Sequence, residues 1–258
     1  FRVHIEVDTG MGRTGIRDLN LVNKLAKYPN IIVEGVYSHL SSADDDLEFT
    51  NNQINKFNEY VLAIADGMGG HKGGEVASEE VLKHLSVFFD SLPSGLSPEE
   101  LRQNLSTWGR EVHAHLKEMG TAPELFEMGT TLVGFLIYER KAFWFSCGDS
   151  RVYMMRGGEL TQLSNDHTYD RYTGKKEHAH ILVNCLGCGD SMYFDFQELT
   201  DTPLVGDTFL LCSDGLSDLV SNEQLTRFMR VGSTAPALVR MALSEGGRDN
   251  VSVCLINF

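Results

Sequence analysis

The chain has 258 residues, 42% hydrophobic and 22% charged, enough for one large soluble domain or two modest ones. Its formal net charge of −14 opposes binding to nucleic acid or to an anionic membrane and suits a protein that gathers carboxylates around cations. No apolar run approaches the roughly 20 residues that span a bilayer. Phe1–Glu6 alternates apolar and polar residues, unlike a signal peptide, and the start at Phe1 rather than Met reads as a fragment or a processed product.

In chain order, Val3, Ile5 and Val7 alternate as a strand ending at Asp8, followed by the glycine turn Gly10 to Gly15. Leu21, Val22 and Leu25 place a helix over Asp18 to Tyr28, stopped by Pro29, and Ile31 to Val33 with Val36 and Tyr37 form a second strand. Two strands joined by a helix predict a parallel βαβ unit. A polar loop at Ser41 to Asp46 and a helix from Phe49 to Tyr60 complete this first region, 1–60.

From Val61 the plan changes. Val61 to Ala65 is an apolar run, followed by Asp66-Gly67 and a glycine-rich turn. Val76, Ala77, Val81, Leu82, Leu85, Phe88 and Phe89 mark one side of a helix; Pro98-Glu99-Glu100 opens another that runs to about Met119, with Pro at its start and acids in its first turn. Strands follow at Thr131 to Tyr138 and Ala142 to Ser146. Val152 to Met155 and Glu159 to Leu163 flank the hairpin signal Gly157-Gly158. Asp166 to Gly189 is polar and irregular. Phe194 to Leu199, Thr208 to Cys212 and Val251 to Phe258 read as strands, and Ser221 to Met229 and Ala235 to Ser244 as helices. Long helices beside many strands predict helices packed on sheets.

Cys147, Cys212 and Cys254 sit in apolar runs, as small hydrophobes do. Cys185 and Cys188 form a lone CxxC, short of the ligands zinc needs. An odd count of five without a regular framework points to a reducing, cytoplasmic setting.

One arrangement recurs. An apolar run ends in an aspartate beside a glycine at Asp66-Gly67, Gly148-Asp149 and Asp214-Gly215, and Asp249 stands just before the last strand. A single Asp-Gly is ordinarily a turn. Four aspartates at strand ends are either four turns or one shared cation site, because carboxylates gathered together repel and a divalent ion removes that penalty. Oxygen ligands of this kind suit Mg²⁺ or Mn²⁺.

Ala65-Asp66-Gly67-Met68-Gly69-Gly70-His71 with Gly74-Glu75-Val76-Ala77-Ser78, then Gly129-Thr130-Thr131, Gly148-Asp149-Ser150-Arg151, Cys212 to Asp218, and Arg248 to Ser252 together resemble, in order, the signature of the metal-dependent Ser/Thr protein phosphatases of the PPM (type 2C) family. The resemblance implies an α-β-β-α sandwich over 61–258, within the α/β (α+β) class, and hydrolysis of phosphoserine or phosphothreonine on protein substrates by a metal-activated water. It implies a centre of two Mn²⁺ or Mg²⁺ ions with a third, weaker one. Asp66 would bridge both ions, with the Gly67 carbonyl on one; Asp214 and Asp249 would hold the other, making these three aspartates catalytic. Asp149 would help hold the third. The irregular stretch with Arg171, Lys175, Lys176, His178 and His180 falls where the family carries its flap, and reads either as a solvated loop or as a substrate-recognition element. Two departures stand out. The family's R-x-x-N-x-D-like element is missing just upstream of Asp66, with only Arg2 and Asp8 as distant candidates. Met68 also occupies the place where some relatives carry a histidine. A catalytically impaired, phosphatase-like binding module is the alternative these departures raise.

Residues 2–57 resemble another family. Val3 to Ile16, Pro29-Asn30-Ile31 and Glu34 to Asp44, with Gln53 and Phe57, are similar to part of the barrel domain of the pyridoxal-phosphate alanine racemases. By that likeness Arg13 would lie near the cofactor and His39 beside the catalytic tyrosine. The segment lacks the Schiff-base lysine, the cofactor phosphate site and most strands of an eight-stranded barrel, so a racemase fragment without activity is expected. Gly10, Gly12 and Gly15 also fit a dinucleotide fingerprint with Glu34 downstream, but Asp8 would face the pyrophosphate. The chain reads as two unrelated parts that meet near Tyr60-Val61.

Overall fold

The structure is a computed structural model that describes residues 2–6, 32–37, 60–68, 70–175, 181–232 and 234–258. Two compact units divide it: 1–60 with 137–140, and 61–136 with 141–258. In the first, β1 (Arg2–Glu6) pairs in parallel with β2 (Ile32–Tyr37), the pairing direction a βαβ unit requires. The intervening helix, the turn at 10–15, residues 49–59 of the expected second helix, Asp8, Arg13 and His39 lie outside the described residues, as do Lys176, His178 and His180, while Tyr60 itself opens a strand rather than ending a helix.

The larger unit is built on two four-stranded sheets. Strand β3 (Tyr60–Ile64) is an edge strand beside β6 (Leu132–Tyr138), which neighbours β7 (Lys141–Cys147) and then β10 (Asp195–Glu198). The second sheet runs β12 (Val253–Asn257), β11 (Thr208–Cys212), β8 (Arg151–Arg156), β9 (Glu159–Gln162), with every pairing antiparallel. A two-residue ladder joins β4 (Gly67–Met68) to β5 (Gly129–Thr130).

Helices cover the outer face of each sheet. Helices α1 (Gly70–Asp90) and α2 (Pro98–Met119) bring Ala77, Val81, Leu85, Leu105, Trp108, Val112 and Leu116 into one cluster with Leu132 and Phe145. Helices α5 (Asn222–Arg230) and α6 (Ala235–Ser244) supply Leu225, Met229, Leu238 and Ala242 against Tyr153, Met155, Leu210 and Cys212. Between the sheets, Phe135 of β6 meets Phe209 of β11 with ring centroids 4.6 Å apart, near-optimal aromatic packing. The result is the expected α-β-β-α sandwich. It also explains why β6 is buried at every position: both of its faces are covered, so its sequence is a continuous apolar run rather than an alternation.

Local chemistry sets the element limits. Ser97 caps α2 through a capping box with Glu100, and Pro98 follows at the first helical position, where its missing N–H costs nothing. Ser221 and Gln224 repeat the capping box at α5. The irregular stretch contains the short helix α3 (Tyr169–Thr173), ended by Gly174 in the left-handed conformation. It is less solvated than the sequence suggests: Asp166, His167, Thr168, Asn184, Cys185 and Leu186 are buried, while Arg171 and Lys175 are exposed. Cys147, Cys185 and Cys212 are buried and all five cysteines are free thiols.

Candidate metal centre

Asp66 lies between β3 and β4, where the first sheet gives way to the short ladder. Its backbone is fixed three ways. The Thr131 N–H donates to the Asp66 carbonyl at 2.9 Å, the Thr130 hydroxyl donates to the same carbonyl at 2.8 Å, and the Asp66 N–H donates to the Thr131 hydroxyl at 3.1 Å. Thr131 in turn shares a 2.7 Å hydrogen bond with the Ser150 hydroxyl. Thr130 exchanges two backbone hydrogen bonds with Leu186, both 2.9 Å.

Two of the glycines here do not act as turn residues. Gly67 has an ordinary φ; a Cβ on it would stand 1.9 Å from the Gly74 carbonyl oxygen, so the start of α1 can approach β4 only because the side chain is absent. A Cβ on Gly215 would stand 2.2 Å from the Asn250 carbonyl oxygen. Only Gly148 needs a positive φ, at 110°, and a Cβ there would also press on Thr131. Two of the three Asp-Gly or Gly-Asp pairs are thus sites of close backbone approach rather than turns.

Asp214 opens the four-residue helix α4 (Asp214–Ser217) immediately after β11. Ser213 ties it to the loop that carries Asp249. Its N–H donates to the Ser252 carbonyl at 3.1 Å, its hydroxyl donates to the Asn250 carbonyl at 3.3 Å, and it accepts from the Ser252 N–H at 3.1 Å. Asp249 is exposed and its Oδ1 accepts from the Asn250 N–H at 2.7 Å.

The electrostatics link these pieces. Burial pushes the Asp66 carboxyl up to about 7, helped by the charge of Asp214, by a hydrogen bond with Asp214, and then by the charges of Asp249 and Asp149. Burial also pushes Asp149 up to about 7, with Asp214, Asp166 and Asp218 adding like charge. Asp214, Asp249 and Asp149 therefore all lie within electrostatic reach of Asp66. The Asp214 Oδ1 atom is buried with no hydrogen-bond partner. Such an orphaned acceptor among like charges, in an all-oxygen donor set, fits a hard divalent cation. The aspartates are not drawn into a tight trio: among the described residues the group whose ligating atoms all fall within 4.8 Å of one another is Glu80, His84 and His115, elsewhere on the molecule.

Residues 38–244 match the family model described as Protein phosphatase 2C. The chain belongs to the protein phosphatase 2C family. Residues 1–73 match the model for the N-terminal domain of alanine racemase, so the two matches overlap from 38 to 73 and the phosphatase match begins ahead of β3. Among phosphatase 2C relatives, the Serine/threonine protein phosphatase PstP of Mycobacterium tuberculosis is 34% identical over 84% of this chain and 44% of its own length. The Serine/threonine phosphatase stp of Listeria monocytogenes is 32% identical over 78% of this chain and 86% of its own. The chain thus spans less than half of the first of these relatives. The catalytic domain of PstP solved with two manganese ions superposes with a TM-score of 0.61 at 36% identity, covering 76% of this chain and 88% of that one.

Some of the residues that hold Asp66, Asp149, Asp214 and Asp249 in place carry no chemistry of their own. Thr130, Thr131, Ser150, Ser213 and Asn250 all fall inside the quoted motifs, and their signal was a small polar residue next to a buried run. Two ion pairs had partners that the sequence did not signal, although Arg151 falls inside one of those motifs. Arg151 forks onto Asp166 at 2.9 and 2.7 Å, and Arg156 onto Asp207 at 3.0 and 2.7 Å, across 15 and 51 residues of sequence.

Proposed function

We propose that residues 61–258 form a metal-dependent protein phosphatase domain that removes phosphate from phosphoserine and phosphothreonine in proteins, behind a racemase-like segment, 1–60. The division of contacts after Tyr60 supports that boundary. The observation that carries the reading is the buried Asp214 Oδ1 left without a hydrogen-bond partner, beside an Asp66 carboxyl pushed up by burial and by the charges of Asp214, Asp249 and Asp149.

Asp66 would hold two ions, with the Gly67 carbonyl on one and Asp214 and Asp249 on the other; Asp149, with Asp218 nearby, would hold a third. Mn²⁺ or Mg²⁺, when bound, supplies Lewis acidity to the phosphoryl oxygens and lowers the pKa of water. The chain's own contribution is positioning. Thr130 and Thr131 fix the Asp66 backbone, and Ser213 fixes the distance between Asp214 and the Asp249 loop. Arg171, 3.9 Å from the Asp166 carboxylate, and Lys175 are exposed cations of the irregular stretch that a phosphoprotein could meet. No helix among the described residues is long and apolar enough to cross a membrane. Five free thiols support a reducing, cytoplasmic setting.

The test is Mn²⁺-dependent hydrolysis of an aryl phosphate and of a phosphothreonine peptide by the full chain. Turnover that needs Mn²⁺ and collapses in Asp214→Asn supports the reading; turnover unchanged by that substitution overturns it.

A further inference from the structure

A second constellation of ligating groups stands away from the aspartates. On α1, Glu80 and His84 lie one turn apart and so project from the same face. On α2, His115 meets them: the His84 and His115 ring centroids are 5.2 Å apart, and one ligating atom from each of Glu80, His84 and His115 lies within 4.8 Å of the other two. The two Glu80 oxygens are divided between neighbours. Lys83 donates to Oε1 at 2.9 Å, which leaves Oε2 toward His84, 3.9 Å from its Nε2. Beneath the three side chains, Ala77, Val81 and Leu85 of α1 share a buried cluster with Leu105, Trp108, Val112 and Leu116 of α2, so the two helices are held in register by the core rather than by the polar groups.

From this geometry we infer that Glu80, His84 and His115 form a surface site for a borderline transition-metal ion of the Zn²⁺ or Co²⁺ class, bridging α1 and α2. Two imidazoles and one carboxylate make a donor set that zinc-class ions favour over Mg²⁺. Metal–ligand distances of about 2.0–2.2 Å place ligands roughly 3–4 Å apart, so the observed separation closes by small rotations of the exposed His84 and His115 toward the half-buried Glu80. Solvent supplies the fourth position. A bound ion would staple the two helices that cover the first sheet. Three ligands on two helices separate this site from the aspartate centre in both location and metal preference, and the inference stands whether or not the chain is a phosphatase.

The experiment is a titration of the full chain with Co²⁺ in saturating Mg²⁺, which keeps the oxygen-rich centre occupied, read by the intense visible absorption of four-coordinate Co²⁺. The expected result is one such equivalent in the wild type, binding weakened about tenfold or more in Glu80→Gln and lost in the double variant His84→Ala/His115→Ala, and unchanged binding in Asp214→Asn. Zn²⁺ should raise the melting temperature of the wild type under the same conditions and not that of the double variant. Absence of the band in the wild type, its persistence in the double variant, or its loss in Asp214→Asn would each overturn the inference.

Discussion

The molecule buries carboxylates in two ways. Asp166 and Asp207 are 7% and 3% exposed, and each is met by the fork of an arginine, Arg151 or Arg156. Asp66 and Asp149 are partly buried as well, yet the charges that act on them are those of other aspartates. The signs differ accordingly: the Arg156 hydrogen bonds hold Asp207 below the usual carboxylate value, while burial and like charge push Asp66 and Asp149 up. Where a carboxylate serves the fold, the chain provides its own counter-ion. Where the acting charges are those of other aspartates, as at Asp66 and Asp149, the arrangement would accept a cation from solution.

The largest expected effect comes from removing a charge from the unpaired group. Asp214→Asn should lower Mn²⁺-dependent aryl phosphate turnover on the order of 10²-fold or more while the domain stays folded, read by kcat and far-UV circular dichroism. Gly215→Ala comes next. Its Cβ must push the Asn250 carbonyl, and with it the Asp249 loop, away from Asp214. An Mn²⁺ affinity loss of about 10–100-fold is expected by equilibrium titration, with Asp214 itself intact.

The paired group should respond in stability. Arg151→Met leaves Asp166 buried without its fork and should cost about 3 kcal/mol in urea unfolding, and Arg151→Met/Asp166→Asn should recover much of that loss. A larger effect on Mn²⁺ affinity than on stability would erase the distinction between the two groups.

The remaining effect is in pH. An acid whose folded pKa lies above its unfolded value holds more protons in the folded state, so folding is penalised as pH rises through the interval between the two. For Asp66 and Asp149 that interval runs from 3.8 to about 7. Without divalent ions, stability should therefore carry a downward contribution between these limits, and saturating Mg²⁺ should remove it. Asp207 contributes in the opposite sense: its lowered pKa gives stability present above the unfolded value and lost as pH falls below it. Urea midpoints at several pH values, with and without Mg²⁺, separate the two contributions.

How much of this was readable in the chain depends on the range of the interaction. Helix α2 is legible to the residue because Ser97, Pro98 and Glu100 act within one turn of each other. Helix α6 and strand β11 are equally local, and the aspartates announce themselves by standing where apolar runs stop. The ladder between β4 and β5 was not legible, since two residues a side carry no periodicity and its hydrogen bonds are all main-chain. Gly67 and Gly215 looked like turn residues because a turn and a close backbone approach make the same demand on a sequence, the absence of a side chain; only the distance to Gly74 or Asn250 tells them apart. The arginine forks were hidden for a third reason, that their partners are chosen by the register of β8 against its neighbours.

Divalent ions held by the Asp66 and Asp149 carboxyls should displace protons from them. Calorimetric titration of Mn²⁺ into the full chain at pH 7, in buffers of different ionisation enthalpy, measures this directly. With both groups near half-protonated, binding should release about one proton in the wild type and markedly less at pH 8.5. A binding heat that does not depend on the buffer, or Mn²⁺ binding that survives unchanged in Asp214→Asn, would contradict it.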